Sequence, residues 1–479
     1  MLRSRFSLYL WCVLISLLAF TCVREYPATA PYTPPVQPSN PGSLPPQTQP
    51  PPPQKRLFLT NDKVRVGIDL NMGGAINYLA EAGTSENMIN NFDLGRQLQT
   101  SLYAGPFPYS VNGKQPVEKW RNLGWNPVQT GDYYNNPSQI VSYQQDQNRL
   151  YVKTIPLIWP LLNEPADCVM EHWIELQGNT VRVRCRTTVN RADTTQYEAR
   201  TQETPCVYLN SPWYRMVTYS GQQPYTNAAV TETTEQDIVT RFASENWVAL
   251  LNKDGRGVGL YRPSEYRYRT AGFGQPKVGG EFDVTSTYMN SDSFILIDYN
   301  GTYEFEYTLV LGSLTDIRQF VYAQPRPAST PNFRFTQDRQ GWYYFNARDR
   351  GWPINNELAI KWQRVDTTKV DFRTLSPLSF WKAADTRKLY LQAAFQTKAS
   401  TVRFGWRRFE DTDIFDIAGR YIDLPIIGDG QYRTYEIDLS NQPGWEGIIT
   451  QIGLNTPPSQ RGFEKGSLAR IRSITTTRP

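Results

Sequence analysis

Between Cys168 and Asn190, two runs in which every second residue is apolar meet at Gly178-Asn179. An apolar period of two belongs to a strand with one buried and one wet face, whereas a helix repeats its apolar residues at three and four. A glycine-asparagine pair between such runs supplies the positive φ angles of a two-residue hairpin turn. That turn fixes the register: Glu175 faces Arg182, Trp173 faces Arg184 and Glu171 faces Arg186. On the other side, Met170, His172, Ile174 and Leu176 lie against Val181, Val183, Cys185 and Thr187. Cys168 falls opposite Val189, so a disulfide to Cys185 is not expected. His172 lands on the apolar side and reads as a structural rather than a catalytic histidine.

The same alternation recurs at Val64, Val66, Ile68 and Leu70, at Leu150 and Val152, and from Phe305 to Leu311. One short helix is expected over Ser313–Ala323, with Ser313 and Asp316 in capping-box spacing and Ile317, Phe320 and Val321 on one face. Pro325, Pro327 and Pro331 follow and mark a domain boundary. Beyond it, Leu389 to Phe395, Val402 to Trp406 and Tyr435 to Leu439 alternate again. A chain of 479 residues, 39% hydrophobic, is long enough for two cores. The fold class is therefore all-β: a large antiparallel sandwich over 57–325, then a jelly-roll sandwich over 332–479.

Ahead of them, Arg3 and Arg5 precede sixteen mostly apolar residues, Phe6–Thr21, which is short for a membrane span. Residues 1–22 thus read as an export signal. Cys22 stands where bacterial lipoproteins carry their lipidated cysteine, although Ala19 and Thr21 match that signal box loosely. The alternatives are a lipid anchor at Cys22 and ordinary cleavage nearby. Residues 23–56 form a proline-rich linker, with twelve prolines among the twenty-nine residues from Tyr26 to Gln54. As an extended polyproline stalk it would reach roughly 90 Å at about 3.1 Å per residue.

Fifty basic and 45 acidic residues are mixed along the chain, and no basic cluster marks a nucleic-acid face. A single histidine excludes histidine dyads and multi-histidine metal sites. With no CxxC pair, no HExxH and no phosphate-cradling glycine loop, neither a metal nor a cofactor is expected.

Several segments together resemble the galactose-mutarotase-like β-supersandwich superfamily of secreted bacterial proteins. They are Gly73 to Leu79 (GGAINYL), Ile89 to Gln97 (INNFDLGRQ), Arg200 to Pro205 (RTQETP), Glu245 to Leu250 (ENWVAL), Gly255 to Tyr261 (GRGVGLY) and Leu309 to Ala323. The resemblance implies two large stacked sheets with saccharide bound on a concave face. It leaves open epimerase, hydrolase, lyase and non-catalytic members. Mutarotase chemistry in that superfamily uses histidine, and the one inward-facing histidine here argues against it. Tyr432 to Ser440 (YRTYEIDLS), Trp445-Glu446-Gly447, Ile452-Gly453-Leu454 and Ala469 to Ile474 resemble carbohydrate-binding-module jelly rolls.

Glycoside hydrolysis needs two carboxyl groups, and Asp93, Glu171, Glu203 and Asp283 stand near turns or strand ends. Glu203 is the leading acid or base and Asp93 the second carboxylate. Arg200 would hold a substrate carboxylate or lower the pKa of Glu203, with Gln202 adjacent; the plainer alternative is an Arg–Glu pair at a bend. Asn91, Asp93 and Arg96 would form a loop pocket, or simply cap a turn. Glu171, Trp173 and Arg186 would line a sugar groove, or form a solvated charge ladder. A lyase would instead use Tyr103, Tyr208 or Tyr219 as base. Trp342 and Trp352 flank polar turn residues suited to stacking on sugar, and Trp406 reads as core. The chain is thus expected to be an exported carbohydrate-active protein that binds, and if catalytic hydrolyses, a poly- or oligosaccharide. The alternative is a non-catalytic surface glycan-binding or adhesion lipoprotein. The partner is a saccharide, the membrane is met only through the N-terminal anchor, and nucleic acid is excluded.

Overall fold

The computed structural model describes residues 54–234, 237–362, 374–411, 420–455 and 467–479. The expected export signal, Cys22 and nearly all of the proline-rich linker lie outside the described residues. Among the described residues, two antiparallel sheets of ten and nine strands are built from residues 56–313. The spine of the first runs Arg56–Thr60, Val64–Asp69, Ala75–Glu81, Leu98–Ser101, Glu203–Asn210, Ser286–Ser291, Arg267–Phe273 and Val239–Phe242. The centre of the second runs Arg256–Tyr261, Asn300–Ser313, Thr180–Asn190, Cys168–Gln177 and Arg149–Ile155. Val66, Ile68, Leu98, Val207, Leu209 and Met289 of the first sheet share one buried cluster with Val152, Ile174, Val183, Cys185 and Leu309 of the second. The sheets therefore stack face to face, as alternation at period two requires when one side of each strand is apolar.

The hairpin keeps the expected register, with Glu171 opposite Arg186, His172 opposite Cys185 and Cys168 opposite Val189. Gly178 turns it with φ 55°, and the three described cysteines are free and buried. The helix spans Leu314–Ala323, with Ser313 at its N-cap in a reciprocal capping box with Asp316. It packs on the outside of the second sheet through Ile317 and Val321.

Residues 332–475 add a second sandwich of two six-stranded sheets, counted among the described residues. Leu389, Leu391, Ala393 and Phe395 are fully buried in it, as are Val402, Phe404 and Trp406. Gln49–Pro479 form one compact unit, and the joint between the sandwiches is built from charge. Arg339, 8% exposed, binds Asp298 of the first sandwich at 2.6 Å and Asp349 of the second at 2.7 Å. Gln196 of the first donates to both carboxylates. Phe294 stacks on Tyr343 across the joint, with ring centroids 5.1 Å apart.

Candidate functional site

Simple alternation would bury Glu203, because Val207 and Leu209 point into the core. The pairing with the neighbouring strand shifts between Glu203 and Cys206: Cys206 faces Gln99, and Glu203 faces Ser101. This bulge carries one extra residue, and Pro205, which has no N–H to donate to the ladder, sits within it. The extra residue flips Glu203 to the outer face of the first sheet, beside Cys206 and Tyr208.

There both carboxylate oxygens are engaged. Tyr288 donates its hydroxyl to Oε1 at 2.6 Å, and Tyr103 donates to Oε2 at 2.9 Å. Burial raises the Glu203 pKa; the two tyrosines and Arg269 oppose that rise, and the charge of Asp292 adds to it. Tyr103, Tyr208 and Tyr288 are themselves held well above the usual phenol range, by burial first and by Glu203 second. They therefore remain hydrogen-bond donors around neutral pH. Tyr208 lies 4.8 Å from Tyr288 and stacks on Phe273 at 6.0 Å, so the floor around the carboxyl is aromatic.

Asp292, 1% exposed, is clamped through Oδ2 by Arg267 at 3.1 Å and Arg269 at 3.0 Å. Asn290 lies between Cys206 and Arg269 in the register. It is fully buried, and neither its amide oxygen nor its nitrogen has a hydrogen-bond partner among the described residues.

The expected site residues fall into three places. Gln202 is buried and ties down its neighbour, accepting from Tyr103 N at 2.7 Å and donating to Tyr103 O at 3.0 Å. It positions Tyr103 and offers nothing to a ligand, a correction to its expected binding role. Arg200 donates to Leu123 O and lies over the rings of Tyr103 and Phe107. The cation that most lowers the Glu203 pKa is Arg269.

Asn91, Asp93 and Arg96 lie together in the segment that leads into the strand Leu98–Ser101. Arg96 donates to Val284 O at 2.7 Å and Ser286 Oγ at 3.0 Å, and its charge reaches Tyr208. Asn91 donates to Asn77 O and Glu281 Oε1, both at 2.8 Å. Asp93 caps Gly95 N at 2.9 Å, and its pKa is raised by burial against the pull of Arg96. No hydrogen bond or ion pair among the described residues joins Asp93 to Glu203 or to the tyrosines that hold it. Asp283 likewise caps Gly280 N at 2.7 Å in an exposed turn.

Glu171, Trp173 and Arg186 lie on the second sheet, across the core from Glu203, so they line no common groove with it. The polar ends of Glu171 and Arg186 are also partnered outward, on the adjoining strands, while Trp173 is met across the hairpin. Glu171 accepts from Tyr151 at 2.7 Å and Arg186 pairs with Glu304 at 2.5 Å, while Arg184 lies 4.1 Å over Trp173. Trp342, expected to be free for stacking, is 2% exposed and packed on Phe333 and Phe335. Tyr219 belongs to the cluster beneath the helix. Reading the sequence missed Tyr288, Asn290, Asp292 and Arg269. The one signal for them was the spacing of two between Tyr288 and Asn290 and between Arg267 and Arg269, which puts each pair on one strand face.

No protein-family model and no curated protein matches the chain. Among solved structures, a galactose mutarotase-like protein from Lactobacillus casei is 8% identical, covering 54% of this chain and 100% of its own, with a TM-score of 0.36. A galactose mutarotase related enzyme from Lactobacillus acidophilus is 12% identical over 54% of this chain and 98% of its own, with a TM-score of 0.32. A 4-alpha-glucanotransferase from Thermococcus litoralis is 13% identical over 55% of this chain and 38% of its own, also with a TM-score of 0.32. The solved structures that this chain is similar to thus include mutarotase-like proteins, but at this level of likeness nothing about ligand or reaction passes from them to it.

Proposed function

We propose that this chain is an exported carbohydrate-active protein. It binds a poly- or oligosaccharide along the outer face of the first sheet, and Glu203 transfers the proton in hydrolysis. The observation that carries this reading is the Glu203 carboxyl, turned outward by a bulge and held between two tyrosine hydroxyls on an aromatic floor. A carboxyl whose pKa is raised by burial keeps its proton to higher pH and serves as a general acid. The aromatic faces of Tyr208 and Phe273 suit the C–H faces of sugar rings. Export rests on the N-terminal sequence: a positive start, a short apolar run, Cys22 as the lipid-anchor position and a proline-rich stalk. The elevated phenols of Tyr103 and Tyr208 weigh against a lyase, which would need one of them as base.

A second reading, glycan capture without turnover, is favoured by Asp292. It is the carboxylate that acts on Glu203 electrostatically, yet it is clamped by two arginines and closed to solvent. A hydrolase needs its second carboxyl at the substrate. The two readings separate on a panel of neutral and uronate-containing glycans, with binding and product release recorded together for wild type and Glu203→Gln. Turnover abolished in the variant with binding retained supports hydrolysis. Binding in both with no product from either makes the chain a capture protein, and no binding on a broad panel ends the carbohydrate reading.

A further inference from the structure

The strand Gln139–Gln145 ends the nine-stranded sheet and has a neighbour, Arg149–Ile155, on one side only. Its outer edge presents backbone N–H and C=O groups with no ladder partner among the described residues, which invites a further strand. Proteins blunt such edges with charge, proline or brevity, and the rest of this molecule does so. Among the described residues, the other strands that end its large sheets fall into two groups. Thr231–Thr233, Tyr343–Tyr344 and Ala347–Arg348 are two or three residues long. Arg56–Thr60, Val239–Phe242, Tyr421–Pro425 and Arg433–Asp438 each carry charge. Gln139–Gln145 (QIVSYQQ) has seven residues, neither charge nor proline, and only Ile140 is not exposed. Val141 is 48% and Tyr143 47% exposed, a β-branched and an aromatic residue of the kind that strands pack against neighbours. Gln145 donates its side-chain amide to Phe58 O at 2.8 Å, pinning this end of the edge to the first sheet.

Charge and register say which strand fits. An uncharged edge has no ion with which to select a charged partner strand, and it meets no repulsion from its own copy. In an antiparallel pair, residues directly opposite each other point to the same face. A twofold axis relating two such edges must therefore pass through a residue position rather than between two. The pairing with Arg149–Ile155 slips between Ile140 and Ser142, which leaves Ser142 to Gln145 as the regular run. A twofold at Tyr143 centres the contact in that run: Tyr143 meets its own copy, and Ser142 meets Gln144 of the second copy. Tyr143 lies opposite Val152, which is fully buried, so its ring stands on the core side. There it borders a hollow of about 490 Å³ that is also lined by Leu70 and the exposed Lys55. Ring against ring at the axis covers apolar surface that each chain alone leaves in water.

We propose that the chain forms a twofold dimer in which these edges pair antiparallel about Tyr143, joining two nine-stranded sheets into one. The proposal does not rest on the glycan reading, because the edge belongs to the second sheet and Glu203 to the first.

The test is sedimentation velocity of the full chain from about 1 μM to about 1 mM. Wild type is expected to pass from monomer to dimer as concentration rises. Tyr143→Lys and Tyr143→Glu each set like charges across the axis and are expected to weaken association at least about tenfold. Mixed in equal amounts, the two variants are expected to recover it, because opposite charges then face each other. Trp173→Ala, on the outer face of the same sheet, is expected to associate as wild type does. Wild type that stays monomeric across the range, association indifferent to both Tyr143 substitutions, a mixture no better than its parts, or a dimer lost in Trp173→Ala overturns the proposal. If a Tyr143 variant fails to fold, amide hydrogen exchange of the wild type decides. Exchange across Gln139–Gln145 is expected to slow as the dimer forms, and exchange there that stays unchanged overturns the pairing.

Discussion

Burial lifts the Glu203 carboxyl above its ordinary range, so across a pH window above that range the folded chain holds a proton that the unfolded chain has lost. Stability contributed by this site is therefore present at low pH and falls as pH rises through the shifted pKa. Glu203→Gln, which cannot ionise, is expected to melt higher than wild type at pH 8 and to lose that advantage near pH 4, as read by thermal denaturation. An unchanged difference between the two pH values would mean that Glu203 is not held protonated. His172 has the opposite sign. It is buried, its Nε2 lies 3.0 Å from Thr100 Oγ1, and burial drops its pKa to about 3. The unfolded chain then takes up a proton below the usual histidine pKa of about 6.5 while the folded chain does not. Between pH 7 and pH 5 this destabilises the fold by about 2 kcal/mol. His172→Gln is expected to remove that part of the acid sensitivity in denaturant titrations at the two pH values. The site's chemistry at this scale was only partly legible. Glu203 stood out by its place before Pro205, but the bulge that turns it outward depends on pairing with Leu98–Ser101, about a hundred residues away.

At the level of elements, local rules were strong wherever turn chemistry and alternation agreed. The hairpin register followed from Gly178-Asn179, and the helix start from Ser313 and Asp316. Ser313→Ala removes the acceptor for Asp316 N and is expected to cost about 1 kcal/mol in equilibrium unfolding. A cost near zero would mean that the cap is redundant with the packing of Ile317 and Val321. What local rules left open was the flanking strands. Glu171 and Arg186 do face each other, yet Tyr151 and Glu304 on the adjoining strands take their polar ends. Nothing between Cys168 and Asn190 states which strands lie on either side. The same holds for Tyr288 and Asn290, whose neighbours at Cys206 to Tyr208 are some eighty residues earlier.

For the molecule as a whole, the joint between the sandwiches is the weak point of a strong design. Arg339 holds two carboxylates that are closed to water, and removing one partner of a buried charge network leaves the others desolvated without compensation. Arg339→Met is expected to cost about 3–5 kcal/mol and to split a single melting transition into two, with new protease sensitivity near Pro325–Pro331. A single transition at nearly the wild-type temperature would show that the aromatic contacts, such as Phe294 on Tyr343, suffice to join the halves.

Two faces of the first sandwich carry aromatic and charged groups: the outer face of the first sheet around Glu203, and the outer face of the second around Trp173. The measurement that tests the central claim most directly is glycan affinity by calorimetry for wild type, Tyr208→Ala and Trp173→Ala. Affinity for a poly- or oligosaccharide is expected to fall at least about tenfold in Tyr208→Ala, from the loss of a stacking surface, and to stay within error in Trp173→Ala. Loss in Trp173→Ala with Tyr208→Ala unaffected would place the ligand on the second sheet and contradict its assignment to the face that carries Glu203.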